Sequence, residues 1–307
     1  MRDFQSPGRS AVYATNGMCA TSHPLAAQVA VQILQEGGNA VDAAIAAGVM
    51  LGLCEPHMCG IGGDCFVLIK PAGEERVVAL NGSGRAPAAL DAEALRARWV
   101  DKMPTYGIDA VTVPGAIDAF CRLSKDWGKL GLDRVLAPAI RYAEEGVPVA
   151  PRTAFDWQRA THLQGAARDH FLDGGKPLGT GQLFRAPGQA EVLRRVAAEG
   201  RAGFYEGEVA DELAKTALLA QVSQVGIFQH PGEVAVAALD GLAQAAQGGW
   251  VAAGQCEGAG EIVMGGGVVR DPPDQPPVQT QAVVVAARAG VAFGEALHDH
   301  NVPGQAA

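Results

Sequence analysis

The densest group of side chains able to bind a metal or act as nucleophiles surrounds one histidine. Cys54, Cys59 and Cys65 lie close in sequence to His57. The run as a whole matches no usual zinc pattern. The neighbouring residues are apolar, and in that setting free cysteine behaves as a small hydrophobic residue. We therefore predict packing cysteines, with metal binding and redox chemistry as minor alternatives, and no metal or other cofactor.

A glycine-rich loop at residues 60–63 (GIGG) raises a second possibility, a phosphate-binding cradle. The spacing falls short of G-x-G-x-x-G, and a strand rather than a helix is predicted to follow. The favoured interpretation is that the glycines provide positive φ and close backbone approach. His57 is expected to be a satisfied, partly buried side chain, with shaping of a site as the alternative. Asp42 is expected to pair with a nearby backbone group, because a buried carboxylate needs partners.

Helix and strand signals show which elements would position these groups. Pro24 is typical of a first helical turn. Asn39 is placed to cap an apolar helix at residues 40–53, which is apolar on nearly every side and should be buried. Strands are predicted at 65–70 and 76–80 as a hairpin. Further helices are predicted at about 88–100, 116–127, 133–145, 189–198 and 209–215. The predicted class is mixed α/β (α+β).

Composition narrows the classes of protein. The chain has 307 residues, 48% of them hydrophobic and 19% charged, which is typical of a globular protein. A net charge of −9 argues against nucleic-acid partners, since phosphate binding needs a basic face. The apolar stretch at 40–53 is too short to span a bilayer, so no membrane partner is predicted. The first residues do not resemble a secretory signal, and the predicted location is cytoplasmic.

A change in composition near Thr216 divides the chain. Residues 217–307 contain only Arg270 and Arg288 of the 24 Lys and Arg, and neither Lys nor Tyr. Their Gly-, Ala-, Val- and Gln-rich text gives weak patterning and predicts no packed domain, although residues 281–287 fit a short strand. We predict one region at 8–216 and an unrecognised tail at 217–307. A shifted reading frame beyond codon 216, or disorder, would explain the tail.

Seven short runs in the first region, taken in order, resemble the large-subunit region of the γ-glutamyltransferase (γ-glutamyltranspeptidase) family. They are ATSHPLA at 20–26, GGNAVDAA at 37–44, EPH at 55–57, GIGG at 60–63, VPG at 113–115, LAPAI at 136–140 and GFYEG at 203–207. The resemblance implies an N-terminal-nucleophile (Ntn) hydrolase, of which this region would form part of an αββα sandwich. It also implies a precursor that cleaves itself before a threonine, which then attacks an amide and is assisted by its own amine.

The sequence lacks the Thr-Thr-His-like motif that begins with the family's nucleophile. It contains no Thr-Thr pair; Thr161 precedes a histidine but lies within the matching region, and Thr280 has no histidine after it, so neither is predicted to be the nucleophile. No catalytic residue is therefore assigned. The chain is expected to stop resembling the family before the catalytic threonine, and to be inactive alone. The alternative function is a non-catalytic fragment or pseudoenzyme that binds a ligand or a subunit. A nucleotide-binding protein is a remote third possibility.

The segment NGSGRAP at residues 81–87 differs from the family's carboxylate clamp. Glutathione-handling members have an arginine there that holds the substrate's α-carboxylate, as a bidentate guanidinium can. An ungapped match places Ser83 at that position, with Arg85 two residues later. The pattern resembles the acylase and oxamate-amidohydrolase-like branch. Ser83 and Arg85 are the predicted substrate-binding residues, with a structural or surface role for Arg85 as the open alternative. The predicted partners are a small amide or γ-glutamyl substrate and a small-subunit segment that this chain does not contain.

Overall fold

The computed structural model describes residues 12–88, 90–98, 103, 108–163, 165–225 and 282–288. Helices and strands are interspersed along the described residues up to Val225, and the predicted mixed α/β class is confirmed. The helices are α1 Pro24–Gln35, α2 Ala40–Cys54, α3 Ala92–Arg98, α4 Ala116–Trp127, α5 Leu132–Glu145, α6 Pro151–Trp157, α7 Gly165–Phe171, α8 Pro187–Glu199, α9 Ala202–Tyr205 and α10 Gly207–Val225. The strands are β1 Asp64–Lys70, β2 Val78–Gly82, β3 Val147–Pro148, β4 Leu172–Asp173, β5 Lys176–Pro177, β6 Leu183–Phe184 and β7 Ala282–Arg288.

Helix α2 lies at the centre of the core, as its uniformly apolar sequence predicts. Twelve of its 15 residues are buried. It begins with the predicted cap at Asn39, whose side-chain oxygen accepts from the amides of Val41 and Asp42. Asp42 completes a capping box by accepting from the Asn39 amide at 2.9 Å. Helices α1, α4 and α5 pack around α2.

The predicted hairpin is confirmed, but its second strand begins two residues later than expected. Strand β2 starts at Val78 and pairs antiparallel with β1, with Val67 opposite Leu80. Arg76 lies instead in the preceding turn, where it forms an ion pair with Glu74, and the Glu74 carbonyl accepts a hydrogen bond from Lys70. The hairpin register would place Arg76 opposite Pro71, which has no amide hydrogen to donate, so the pairing stops at Val78.

A third strand from the C-terminal part of the chain completes this sheet in the order β2-β1-β7. Strand β7 runs antiparallel to β1, with Val67 opposite Val285, so a strand is confirmed where residues 281–287 predicted one. Residues 226–281 and 289–307 lie outside the described residues, and the division at Thr216 stays a prediction. Helix α10 runs through that position to Val225.

The remaining helices were predicted unevenly. Helix α4 is confirmed at both ends, and α2, α5 and α8 agree within a few residues. Helix α3 starts at Ala92, later than expected. Helices α6, α7 and α9 were not predicted. In the part of the chain that the structure describes, no helix combines the length and the apolarity needed to cross a membrane.

Candidate active site

The predicted substrate-binding residues lie together on one exposed loop, residues 81–87, which leaves the end of β2. Asn81 turns the chain there, because its side-chain oxygen accepts from the Ser83 amide at 2.9 Å. Ser83 and Arg85 are both exposed. None of the ion pairs between described side chains includes Arg85. The guanidinium is therefore placed where a carboxylate in solution can reach it.

Two glycines hold this loop against residues 113–115 at a distance that no side chain would allow. A Cβ atom on Gly84 would lie 1.8 Å from the carbonyl oxygen of Val113, and one on Gly115 would lie 2.3 Å from that of Gly82. The Val113 amide donates to the Arg85 carbonyl at 2.9 Å. The backbone of the loop is thus held by residues 113–115, whereas the side chains of Ser83 and Arg85 are exposed.

The 60–63 loop forms the opposite side of the 113–115 segment. The amides of Gly115 and Ala116 both donate to the Gly63 carbonyl, at 2.9 and 3.0 Å. The loop therefore offers a carbonyl acceptor to the start of α4, whereas a phosphate cradle would offer amide donors. The predicted roles of two of its glycines were wrong: neither Gly60 nor Gly62 has positive φ or a neighbour within 4 Å of a built Cβ. The turn closes with an ordinary hydrogen bond from the Gly63 amide to the Gly60 carbonyl.

A buried tyrosine supports the 113–115 segment from the side of α9. The Tyr205 hydroxyl donates to the Pro114 carbonyl at 2.7 Å and accepts from the Asp118 amide at 3.1 Å. Arg201 binds the Asp118 carboxylate at 2.6 Å and lies over the Tyr205 ring, 4.6 Å from its centroid. Burial raises the pKa of Tyr205, so the phenol keeps its proton. The sequence analysis did not predict this network, although Pro114 and Tyr205 belong to two of the seven family-like runs, VPG at 113–115 and GFYEG at 203–207.

His57 belongs to a separate buried polar group beneath the α2 terminus. It is 8% exposed, and its Nε2 lies 3.3 Å from Asp156, which also binds Arg152. The predicted pairing of this histidine is confirmed at Nε2, and the ring is buried rather than partly buried. Burial lowers the pKa of His57 against the opposing effect of Asp156, which keeps the ring neutral near pH 7. The cluster joins α6 to the end of α2.

The cysteines near His57 are buried thiols. Burial raises the pKa of Cys54 and Cys65 to about 12 and that of Cys59 to about 11. Thiols in this state are poor nucleophiles, because the thiolate is the reactive form. Among the described residues, no group of three or more His, Cys, Asp or Glu side chains is placed to hold a metal ion.

The other residues that were weighed have structural settings. Asp42 is fully buried and accepts from the amides of Lys129 and Leu130 as well as from that of Asn39, which confirms the expected pairing. Thr161 is exposed in a short 3-10 helix, Gln158–His162, and Thr280 lies outside the described residues.

Comparison with known proteins gives a consistent set of relatives. A sequence model of the family described as gamma-glutamyltranspeptidase matches residues 26–225. A glutathione hydrolase-like proenzyme of Bacillus subtilis is 35% identical over 206 residues, and the oxamate amidohydrolase proenzyme of Klebsiella pneumoniae is 36% identical over 209; each match covers 66% of this chain. The crystal structure of cephalosporin acylase from Bacillus halodurans superposes with a TM-score of 0.65 and 41% identity, covering 76% of this chain and 44% of the acylase chain.

The alignments cover only part of these relatives. The chain spans 39% of the length of each of the two proenzymes. Within that part the sequence model and the structural superposition agree, and the predicted fold class, part of an Ntn-hydrolase sandwich, is confirmed. The chain belongs to the gamma-glutamyltranspeptidase family.

Proposed function

We propose that this chain supplies the substrate-binding part of an Ntn amidohydrolase or acyltransferase whose small amide substrate carries a carboxylate. The observation that carries the proposal is the geometry of the 81–87 loop. Its backbone is locked by the glycine contacts at Gly84 and Gly115, and it exposes Arg85, which has no ion-pair partner among the described residues. A planar guanidinium in a rigid loop suits bidentate capture of a carboxylate.

The nucleophile in this proposal is an N-terminal threonine on another polypeptide segment. Its hydroxyl attacks the amide carbonyl while its own amine takes the hydroxyl proton. A bond forms between the acyl carbon and the threonine oxygen, and the carbon–nitrogen bond of the substrate amide breaks. The substrate's amine leaves with the proton that the threonine amine had taken. Water or an acceptor amine then cleaves the ester. Because the 307 residues contain no Thr-Thr pair, we expect this chain alone neither to cleave itself nor to hydrolyse γ-glutamyl-p-nitroanilide.

The proposed substrate is closer to oxamate or an acylase substrate than to a γ-glutamyl compound. In the ungapped match Ser83 stands at the clamp position and Arg85 two residues later, so a carboxylate bound to Arg85 would lie at a different distance from the reacting carbonyl. Relatives of this chain include a protein named for oxamate and another named for cephalosporin. This support is independent of the position of Arg85.

The sheet has an apolar outer face on which the proposed threonine-bearing segment would pack. Along β1 the residues alternate between buried and exposed, and the outward-facing Phe66 and Leu68 are 43% and 49% exposed. An exposed apolar face of a sheet is typical of a surface that another layer covers. We propose that strands of the threonine-bearing segment cover it, and that the uncovered chain associates with itself, which light scattering would detect.

The cytoplasm is the proposed location. The five cysteines in the described residues form no disulfide with one another, and cysteines kept as thiols are typical of a reducing compartment. Cell fractionation with an antibody against the chain tests this. Recovery from the periplasm or the medium would refute it.

Calorimetric binding of oxamate and of L-glutamate to the purified chain tests the substrate proposal. Arg85→Ala should weaken oxamate binding by about 10- to 100-fold, the value of a charge-assisted hydrogen bond. Arg141→Ala, which removes the same charge from the exposed side of α5, should have no effect. Binding of oxamate that survives Arg85→Ala would exclude Arg85 as the clamp. Tighter binding of L-glutamate than of oxamate would place the chain with the γ-glutamyl branch.

The lack of a Thr-Thr pair also favours a second candidate, a non-catalytic binding module. The same titration separates the two functions when a segment bearing the N-terminal threonine is added. Hydrolysis in the mixture supports the enzyme, whereas binding without hydrolysis supports the module.

A further inference from the structure

We propose that Tyr205 is a positioning residue for the 81–87 loop: its hydroxyl fixes the 113–115 segment, and that segment fixes the backbone at Arg85. The role of the loop in binding substrate rests on the function proposed above. The positioning itself is a property of this chain and can be measured without a ligand.

The argument begins at Pro114. Proline has no amide hydrogen, so its carbonyl is its only backbone group able to form a hydrogen bond. Tyr205 satisfies that carbonyl at 2.7 Å. The same hydroxyl accepts from the Asp118 amide in the first turn of α4 at 3.1 Å. A phenol can donate once and accept at the same time, so one oxygen joins the turn to the helix that follows it.

The segment on either side of Pro114 passes this restraint to the substrate-binding loop. Val113 donates to the Arg85 carbonyl at 2.9 Å, and Gly115 donates to the Gly63 carbonyl at 2.9 Å. The glycine contacts described above leave no room for the segment to slide against the loop. A movement of the Pro114 carbonyl toward another partner would therefore have to move Val113 and, with it, the Arg85 backbone.

The placement of Tyr205 is itself tightly specified. A Cβ on Gly203 would lie 2.5 Å from the Arg195 carbonyl carbon, so only glycine lets α9 lie this close to α8. Gly207 has φ of +64°, which turns the chain from α9 into α10. Phe204 is 3% exposed and packs edge-on against the Tyr205 ring. Gly203 and Phe204 thus help to aim the phenol by their contacts, and Gly207 does so by its backbone conformation.

Arg201 completes the arrangement from the outer side. Its guanidinium covers the Tyr205 ring and binds the Asp118 carboxylate. The phenol is consequently held between a cation on one face and two backbone groups at its tip. This setting explains why the aromatic residue here carries a hydroxyl: phenylalanine would fill the same space and leave the Pro114 carbonyl and the Asp118 amide unpaired.

The test is hydrogen exchange of individual amides, measured by NMR on the full chain without ligand. In Tyr205→Phe we expect exchange at Val113 and Gly115 to rise about 10-fold or more, the equivalent of one lost hydrogen bond. Exchange in α2 should be unchanged, and Tyr142→Phe should leave both sites as they were. Protection at Val113 and Gly115 within twofold of the parent would overturn the proposal.

Two further measurements cover the other outcomes. If Tyr205→Phe does not fold, the variant to measure is Arg201→Lys, which loosens the ring without removing the hydroxyl. It should raise exchange at the same two amides by about threefold, which corresponds to part of one hydrogen bond. Unchanged protection in that variant would overturn the proposal. Oxamate titration of the folded variants is a separate arm. If oxamate fails to bind even the parent chain, the substrate proposal is refuted, while the exchange data still decide the role of Tyr205.

Discussion

Replacement of Asp42 by alanine should be among the most destabilising single changes in the α2 region. Its fully buried carboxylate accepts backbone hydrogen bonds from Asn39 at 2.9 Å, Lys129 at 3.0 Å and Leu130 at 3.2 Å. The first belongs to the start of α2 and the other two to the connection between α4 and α5. One side chain therefore joins two parts of the chain that are almost 90 residues apart.

The expected loss follows from the donors left without a partner. A buried, unsatisfied polar group costs about 1–3 kcal/mol. Lys129 is exposed and Leu130 is half-buried, so water can reach these amides in part, and the lower end of that range applies. Three donors at about 1 kcal/mol each give about 3 kcal/mol in the free energy of unfolding for Asp42→Ala. Asp42→Asn keeps one carbonyl oxygen with two lone pairs, and should lose about 1–2 kcal/mol.

Urea denaturation followed by circular dichroism measures these differences. Asp133→Ala is the matched control, because Asp133 also lies in the first turn of a helix, α5, but is exposed. It should lose no more than the helix-dipole contribution of about 0.3–1 kcal/mol. The reasoning is refuted if Asp42→Ala and Asp133→Ala have the same midpoint and slope, since the long-range acceptor would then contribute nothing.

Three further predictions concern the loop, the thiols and pH. Gly84→Ala should abolish native folding, judged by lost thermal cooperativity, whereas Gly62→Ala, with open space around it, should melt as the parent does. Cys54 and Cys65 should resist iodoacetamide at pH 8 until the chain is unfolded; mass-spectrometric labelling of either in the native protein would contradict their raised pKa values. Burial lowers the pKa of His23 in the folded protein. The unfolded chain therefore binds more protons than the folded one from about pH 6.5 downward, and the free energy of unfolding must fall as the pH drops through that value. His23→Gln should flatten this slope in urea titrations at pH 5–7, and an unchanged slope would show that His23 does not contribute.

The local parts of the fold could be predicted from the sequence. Helix α2 was found because its apolar run begins at a capping asparagine and ends before a proline, both of which act within a few residues. Helix α4 lies between Gly115 and Gly128, and its ends were predicted correctly. Strand β2 begins two residues later than predicted because the hairpin register would place Arg76 opposite Pro71, which has no amide hydrogen to donate. Periodicity within one strand does not show what lies opposite it.

What could not be predicted depends on distant contacts. Helix α9 is four residues long and has no period of its own; it forms because Phe204 and Tyr205 are buried. The pairing of β7 with β1 joins residues more than 200 positions apart. For the candidate site, Ser83 and Arg85 are predicted from a resemblance and stay predictions, whereas the support from Tyr205 was missed because the two motifs it connects are about 90 residues apart in sequence.

The glycines show that motif spacing misjudged how the 81–87 loop is held. A Cβ on Gly62, in the GIGG run, would meet nothing, whereas a Cβ on Gly84 would force a shift because Val113, from a later segment, lies against it. The loop is held by that contact, by the Arg85 carbonyl and by the Asn81 side chain. None of these restraints uses the side chain of residue 83 or 85. Both side chains can therefore vary without moving the backbone, so under the proposed function these two positions are where substrate preference can change while the scaffold stays the same.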